Sequence, residues 1–432
     1  MNDKVLVLIV GTNPLPNYVV GSCLKENYDK FVLIYSEKDE RINQSSTADY
    51  AEKLKERLNL NNCTLLPLRN VSNPSTIRND LEEKFPKDNI DEVHLNYTGG
   101  TKTMVVNVYN FLKETFIDKF NASYIDARTH ELIYDNNEKA GVNLKDKIKI
   151  DIDTLLSIHL YDLDDRNNFK IDIYDKFKDS FDNISKEIEN AIKNDKGNYF
   201  VEWLSDPFRK IFKDDDKFIE KASKFKEHIE HINNSNQSLI DKFNNKTNQF
   251  IWDILNAFPE NKRINDGQKL WIPEGNITNN GFSNRIEDTV KFLDGRWLEW
   301  YVYNEIKNEL VKKGLQEEKH FGISLKAQKG NSPNFELDIF IINGYQLAGV
   351  SITTGKKKSE CKLKGFEVIH RVKQISGDES KAILITGMES FEKDGLQEDL
   401  SFVTGTAEDK IVVFGLDDWA DIGSKVCKEV FR

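Results

Sequence analysis

No run of apolar residues in this chain approaches the roughly 18 that span a membrane. The first run, Val5–Val10, is short and follows only Met1-Asn2-Asp3-Lys4, which fits neither a signal peptide nor an anchor. Cysteine is scarce as well. The four cysteines, Cys23, Cys63, Cys361 and Cys427, form no C-x-x-C pair, which argues against a zinc ribbon and against a disulfide framework. Reduced thiols in a cytoplasmic protein with no membrane partner are expected. Two phosphate-binding signatures are missing: neither G-x-G-x-x-G nor G-x-x-x-x-G-K-[ST] follows a strand-like run, which disfavours a dinucleotide oxidoreductase and a P-loop NTPase. Net positive charge is also lacking. With 61 Lys and Arg against 72 Asp and Glu, the formal charge is -11, unlike a nucleic-acid coat protein. A nuclease stays open, because metal-binding carboxylates are acidic and a local basic strip can hold phosphates. Lys356-Lys357-Lys358 with Lys362 and Lys364 is such a strip, or else an ordinary solvated turn.

The 432 residues allow two or three domains. Residues 1–150 alternate short apolar runs (Val5–Val10, Phe31–Tyr35, Thr64–Leu68, Val93–Asn96, Ala122–Asp126) with amphipathic stretches (Ala48–Leu58, Pro74–Phe85, Thr101–Phe116), and Leu132–Tyr134 could add an edge hairpin. That rhythm predicts an α/β fold with a Rossmann-like parallel sheet covered on both faces. Residues 151–290 show no strand rhythm and no fixed-period repeat. Ile171–Ile192 and Asp216–Phe250 read as long charged helices, so a helical linker or dimerisation region is expected. Residues 291–432 read as helix (Phe292–Lys312), strands (Phe335–Ile342, Gln346–Thr353), helix (Lys362–Ile375) and strands (Lys381–Thr386, Ile411–Phe414). Asn343-Gly344 is the hairpin signal between the first two strands.

Two loops fall at carboxyl ends of expected strands, where open α/β sheets bind ligands. One is Gly11-Thr12-Asn13-Pro14-Leu15-Pro16. The other is Asn96-Tyr97-Thr98-Gly99-Gly100-Thr101-Lys102-Thr103-Met104. Glycines admit close backbone approach to a phosphate, and the following helix N-terminus favours an anion. Thr98 and Thr101 add hydroxyls, Lys102 adds charge, and Ser36 at the end of the second strand would lie beside them. Taken alone, Gly99-Gly100 also fits a tight turn with Thr101 as cap. The whole string resembles the N-x-T-G-G-T-K-x-M signature of the CRISPR-associated Rossmann-fold (CARF) sensors, and the early G-T-N-P-x-P loop fits the same family. The resemblance covers about residues 1–150. It implies a cyclic oligoadenylate ligand, cyclic tetra-adenylate ahead of cyclic hexa-adenylate, bound across the two-fold axis of a homodimer. Thr12 and Asn13 then belong to the first ligand loop, and Thr98 to Lys102 to the second.

In the last third, Asp338 interrupts an apolar strand, where an unpaired buried carboxylate is costly. Glu299 lies on the preceding helix between Trp297 and Trp300, which read as core. This segment resembles CARF effectors with a C-terminal PD-(D/E)xK restriction-endonuclease-like domain, in which two carboxylates hold Mg²⁺ or Mn²⁺ and a Lys stabilises charge. The resemblance covers about 291–390. Where E-x-K is expected, however, the chain has Ser351-Ile352-Thr353, and Glu360-Cys361-Lys362 falls beyond the strand. The resemblance therefore implies either a variant site or a domain that only grips nucleic acid. In the variant, Glu299 and Asp338 bind metal, Ser351 and Thr353 supply hydroxyls, and Lys364 or Lys362 supplies charge. Glu367 and Arg371, four apart, read as a helix-surface pair.

The leading expectation is a cyclic-oligoadenylate-activated, metal-dependent nuclease of type III CRISPR antiviral defence acting on single-stranded RNA or DNA. The alternatives are a catalytically inactive regulator and a sensor that degrades its own ligand. A HEPN ribonuclease, carried by many similar sensors, is excluded because no histidine has an Arg five to seven residues upstream.

Overall fold

The computed structural model describes residues 3–136, 139–163, 174–235, 237–332 and 335–432. The N-terminal half is a seven-stranded sheet: β1 (Asp3–Ile9), β2 (Lys30–Ser36), β3 (Cys63–Leu68), β4 (Ile90–Asn96), β5 (Phe120–Asp126), β6 (Glu131–Tyr134) and β7 (Lys139–Asn143), in the order β3-β2-β1-β4-β5-β6-β7. The first five strands are parallel, and β6 and β7 add an antiparallel edge. Helices α1 (Leu15–Leu24), α2 (Ala48–Leu58), α3 (Pro74–Lys84) and α4 (Lys102–Phe116) cover it. Central β1 is apolar on both sides. Val5, Val7 and Ile9 join one core with α3 and α4, while Leu6 and Leu8 join another with α1 and α2. Burial on both faces is what a continuous apolar run in a doubly wound sheet signals. Helix α1 has no clear amphipathic stripe because it too is mostly buried, and the period reading missed it.

The C-terminal half carries a six-stranded sheet: β8 (Asp162–Leu163), β9 (Phe321–Gln328), β10 (Phe335–Asn343), β11 (Gln346–Ile352), β12 (Lys381–Ile385) and β13 (Ile411–Phe414), in that spatial order. β9 to β11 form an antiparallel meander, and β12 and β13 add in parallel. Strand β9 was not foreseen. Asn343 pairs with Gln346, so the hairpin turn is Gly344-Tyr345, one residue later than the Asn-Gly signal placed it; Gly344 supplies the positive φ of 66°.

The region 151–290 is not a free-standing linker. It contributes α5 (Ile152–Ile158) and then a set of helices whose buried faces, from Phe177 onward, share one core with the C-terminal sheet as far as Val430. Of the expected helix Ile171–Ile192, residues 171–173 lie outside the described residues; the described part is helical, including Phe181–Lys193. The expected helix Asp216–Phe250 is broken. A hairpin pairs Lys213–Asp214 with Lys217–Phe218 through Asp215 and Asp216 at positive φ, and separate helices follow at Ala222–Asn234, Leu239–Phe243 and Gln249–Ala257. Helix α6 (Asn279–Lys291) runs through a wide turn, Phe292–Arg296, into α7 (Trp297–Lys312). Helices α8 (Lys358–Ser376), α9 (Ser390–Thr404) and α10 (Ile422–Val430) complete the half.

The two halves share apolar packing. One core joins Leu54 and Leu58 of α2 with Leu155 and Leu156 of α5 and with Phe340, Leu347 and Val372 of the C-terminal sheet and its helix. Each fully buried Leu or Phe contributes about 1.5–3 kcal/mol, so this seam makes the halves one packed body.

Candidate functional site

Two regions gather the expected residues. The first is at the carboxyl ends of β1 and β4. Buried Asn96 shapes the second loop: its Nδ2 donates to Ser123 Oγ at 3.1 Å, and its Oδ1 accepts from the Thr98 N–H at 3.2 Å. A Cβ at Gly99 would collide with the Ile9 carbonyl oxygen. At Gly100, with φ at +82°, it would collide with the Ile9 side chain. Glycine is required at both. A Cβ at Gly11 would stand 3.2 Å from Gly100 N, so the two loops touch along their backbones. Thr101 caps α4 by accepting from the Met104 N–H at 3.3 Å. Thr12, Thr101 and Lys102 are exposed above this junction. A helix N-terminus, close-packed backbone and an exposed ammonium suit a phosphate.

Thr98 Oγ1 accepts from the Ile125 N–H at 2.8 Å, which leaves its proton available. Two expected contributors are turned inward. Ser36 Oγ donates to the Ser45 carbonyl at 2.8 Å within a buried cluster with Thr47. Asn13 Oδ1 accepts from the Leu15 N–H at 3.2 Å and lies 3.3 Å from His159 Nε2. The sequence reading did not single out Asn17, which is fully buried; its Nδ2 donates to the Ile9 carbonyl at 3.1 Å, and its Oδ1 has no hydrogen-bond partner among the described residues.

The second region lies on the C-terminal sheet. Asp338 of β10 faces Ser351 of β11; its Oδ2 accepts from the Ile352 N–H at 2.6 Å and from Ser351 Oγ at 3.2 Å. Helix α7 brings Glu299 against it. Burial first, and then the charge of Asp338, push the Glu299 carboxyl up to about 7. Burial also holds the Asp338 carboxyl above its ordinary value, against the opposing pull of the Ile352 N–H. The Lys364 ammonium of α8 favours the charged form of both carboxylates. Asp338, Ser351, Lys364, Glu336 and Glu367 line a small cavity of about 110 Å³. Thr353 does not join them. It closes the end of β11, with its N–H on the Ile385 carbonyl at 2.9 Å and its Oγ1 accepting from Gly355 N–H at 3.0 Å.

Residues 5–153 match the family model of the Card1 CARF domain. Over the whole chain, two solved structures share the fold. Protein VC1899 from Vibrio cholerae is 15% identical with a TM-score of 0.58, covering 98% of this chain and 97% of its own. Can2 from Sulfobacillus thermosulfidooxidans, solved in complex with cyclic tetra-adenylate, is 14% identical with a TM-score of 0.56, covering 99% and 98%. None of the curated proteins matches the chain.

The CARF-matching segment contains both glycine-bearing loops, at Gly11 and at Gly99-Gly100, and ends within α5. Beyond it, the basic strip is largely spent on the chain itself. Lys356 donates to Asn198 Oδ1 at 2.7 Å, Lys357 pairs with Glu360 at 3.1 Å, and Lys358 and Lys362 reach Asp399 at 2.8 and 3.7 Å. Glu360-Cys361-Lys362 therefore takes no part in the Asp338 cavity. Glu367 faces that cavity instead of pairing with Arg371, whose Nη1 donates to Gln374 at 3.3 Å. Signals for Glu336 and Glu367 were present: Glu336 shares a strand face with Asp338 at i−2, and Glu367 shares a helix face with Lys364 at i+3. Trp297 is fully buried and Trp300 Nε1 donates to Ser185 Oγ at 3.1 Å, as core residues.

Proposed function

We propose that this protein is a nuclease of type III CRISPR defence gated by a cyclic oligoadenylate. The observation that carries the reading is the half-buried pair of carboxyls, Glu299 raised in part by the charge of Asp338, with Lys364 favouring the charged form of both. Two carboxylates forced together in a poorly hydrated site repel one another unless a proton or a cation sits between them. Among the described residues, no group of three or more His, Cys, Asp and Glu side chains is placed to hold a metal ion. Two carboxylates and the Ser351 hydroxyl nevertheless fit Mg²⁺ or Mn²⁺, because Mg²⁺ is commonly held by one or two carboxylates, with water and substrate phosphate completing its shell.

Glu299 and Asp338 would hold the ion, which supplies Lewis acidity toward a phosphate oxygen. The protein's own part is orientation and charge. The Ile352 N–H and Ser351 Oγ fix the Asp338 carboxylate, and the Lys364 ammonium stabilises negative charge developing on a phosphodiester of single-stranded RNA or DNA. The ligand loops bind the activator through Thr12, Thr98, the Gly99-Gly100 backbone, Thr101 and Lys102, with Asn13 and Ser36 supporting the loop from behind. Cyclic tetra-adenylate, the ligand in the Can2 structure, is the activator to try first, on a cytoplasmic homodimer.

The test is cleavage of labelled single-stranded RNA, single-stranded DNA and plasmid with Mn²⁺ or Mg²⁺, with and without cyclic tetra- and hexa-adenylate. Cutting that needs metal and one ring, lost in Asp338→Ala and weakened in Lys102→Ala, is the expected result. Ring binding without cutting would favour the second reading, a ligand-gated nucleic-acid-binding regulator. That reading rests on Ser351, which stands where E-x-K would place a carboxylate.

A further inference from the structure

A larger cavity, about 550 Å³, lies between the two halves at the end of β12 and β13 away from Asp338. Arg128 and His130 from the β5–β6 turn and Lys145 face Lys381, the first residue of β12, and Lys410, just before β13. The halves are held closely here. The Lys145 backbone lies against the Gly344-Tyr345 turn, where a Cβ on Gly344 would collide with the Lys145 carbonyl, and His130 Nδ1 lies 3.0 Å from Tyr345 Oη.

Most of these cations have acidic partners. Arg128 pairs with Asp126 at 3.3 Å, Lys381 with Glu429 at 3.4 Å, and Lys410 with Glu379 at 3.9 Å, while Asp409 lies on the wall. Lys145 forms no side-chain ion pair or hydrogen bond among the described residues. Burial and the Lys381 and Lys410 charges push its ammonium below its ordinary value, and Lys145 and Lys410 act in the same direction on half-buried His130. Five Lys and Arg side chains, Arg432 among them, face three carboxylates, Glu379, Asp409 and Glu429, on this wall, and a bound anion would relieve the excess positive charge. Leu347, Ala348 and Val430 complete the wall with apolar surface. The volume falls within the roughly 300–1,000 Å³ typical of small-molecule sites.

We propose that this cavity binds a phosphate-bearing small molecule of about mononucleotide size. Its phosphate would be held by Lys145, Lys381 and Lys410, and its remaining body would lie on the apolar wall. Because Lys145 and Lys381 come from different halves, the ligand bridges them. The site stands apart from both the β1 and β4 loops and the Asp338 cavity, so it does not depend on the nuclease reading.

Titration calorimetry of the full chain with AMP tests this, with inorganic phosphate, adenosine and a single-stranded oligonucleotide in parallel. AMP is expected to bind more tightly than phosphate or adenosine. Lys145→Ala and Lys410→Ala should each weaken it at least tenfold. Using two independent variants guards against one failing to fold. The proposal is overturned if the wild type does not bind AMP or if Lys145→Ala and Lys410→Ala bind it as well as wild type. Loss of binding only in Lys102→Ala, or preference for the oligonucleotide, would also overturn it.

Discussion

Gly100 shows how much a single residue can constrain. Its φ of +82° and the Ile9 side chain beside it leave no room for a Cβ. Gly100→Ala should cost about 2 kcal/mol or more, read as a lower urea midpoint with unchanged m-value. Glu299 poses the opposite case, a residue that costs stability where it stands. Its carboxyl is raised to about 7, so on unfolding it regains its ordinary acidity, and the folded state loses stability as pH rises from about 4.5 to 7. Without divalent metal at pH 8, Glu299→Gln should therefore stabilise the chain, by about 1–3 kcal/mol, while abolishing cleavage. A variant less stable than wild type under those conditions would remove the repulsion argument. A carboxylate kept at such a cost is the usual mark of a functional site.

At the scale of elements, β4 and β5 are tied together beneath the ligand loop by a buried polar chain. The Tyr28 hydroxyl lies 2.6 Å from His94 Nδ1. His94 Nε2 lies 2.7 Å from Ser123 Oγ, which also accepts from Asn96. A neutral imidazole in this chain donates from one ring nitrogen and accepts at the other. Burial pushes its pKa down to about 4. A histidine depressed on folding leaves stability unaffected above its unfolded value near 6.5, and removes it as pH falls from 6.5 through 4. Denaturation at pH 7, 5.5 and 4.5 should show this loss, approaching about 3 kcal/mol at the acid end. His94→Gln should flatten much of the slope. An identical slope in the variant would place the acid sensitivity elsewhere, with His159, also pushed down to about 4, the first alternative.

On the scale of the whole molecule, the first candidate loop lies against the C-terminal half. Asn13 of the first loop touches His159 at the end of α5. A Cβ on Gly377, at the end of α8, would strike the Asn13 side chain. Helix α8 also brings Lys364 to the Asp338 cavity. A rigid helix with one end on the ligand loop and one face on the second site is a physical route by which the two could be coupled. The seam also depends on Gly344, where a Cβ would meet the Lys145 carbonyl at positive φ. Gly344→Ala should lower thermal stability and expose the segment near α5 to limited proteolysis. Proteolytic resistance equal to wild type would show that the seam tolerates the change.

Local pattern determined the five parallel strands and three of the four helices that cover them. Ala48–Leu58 was expected and found unchanged, and Asn96 to Lys102 was legible because a turn, a cap and a helix start are all set by neighbours in sequence. Glu299 and Asp338 were legible as carboxylates set in otherwise apolar surroundings. Tertiary structure alone decided the rest. Ser36 and Thr353 carry hydroxyls that sequence assigns to sites but that folding spends on Ser45 and Gly355. Likewise, the Lys356–Lys358 strip is spent on Asn198, Glu360 and Asp399. Helix α1 and strand β9 lacked a readable period, and 151–290 joined a core with members as distant in sequence as Val430. The division has one cause. Periodicity and caps set an element from its own residues, whereas which donor meets which acceptor depends on the loop geometry that folding imposes, and which cations crowd one cavity depends on how the two halves pack.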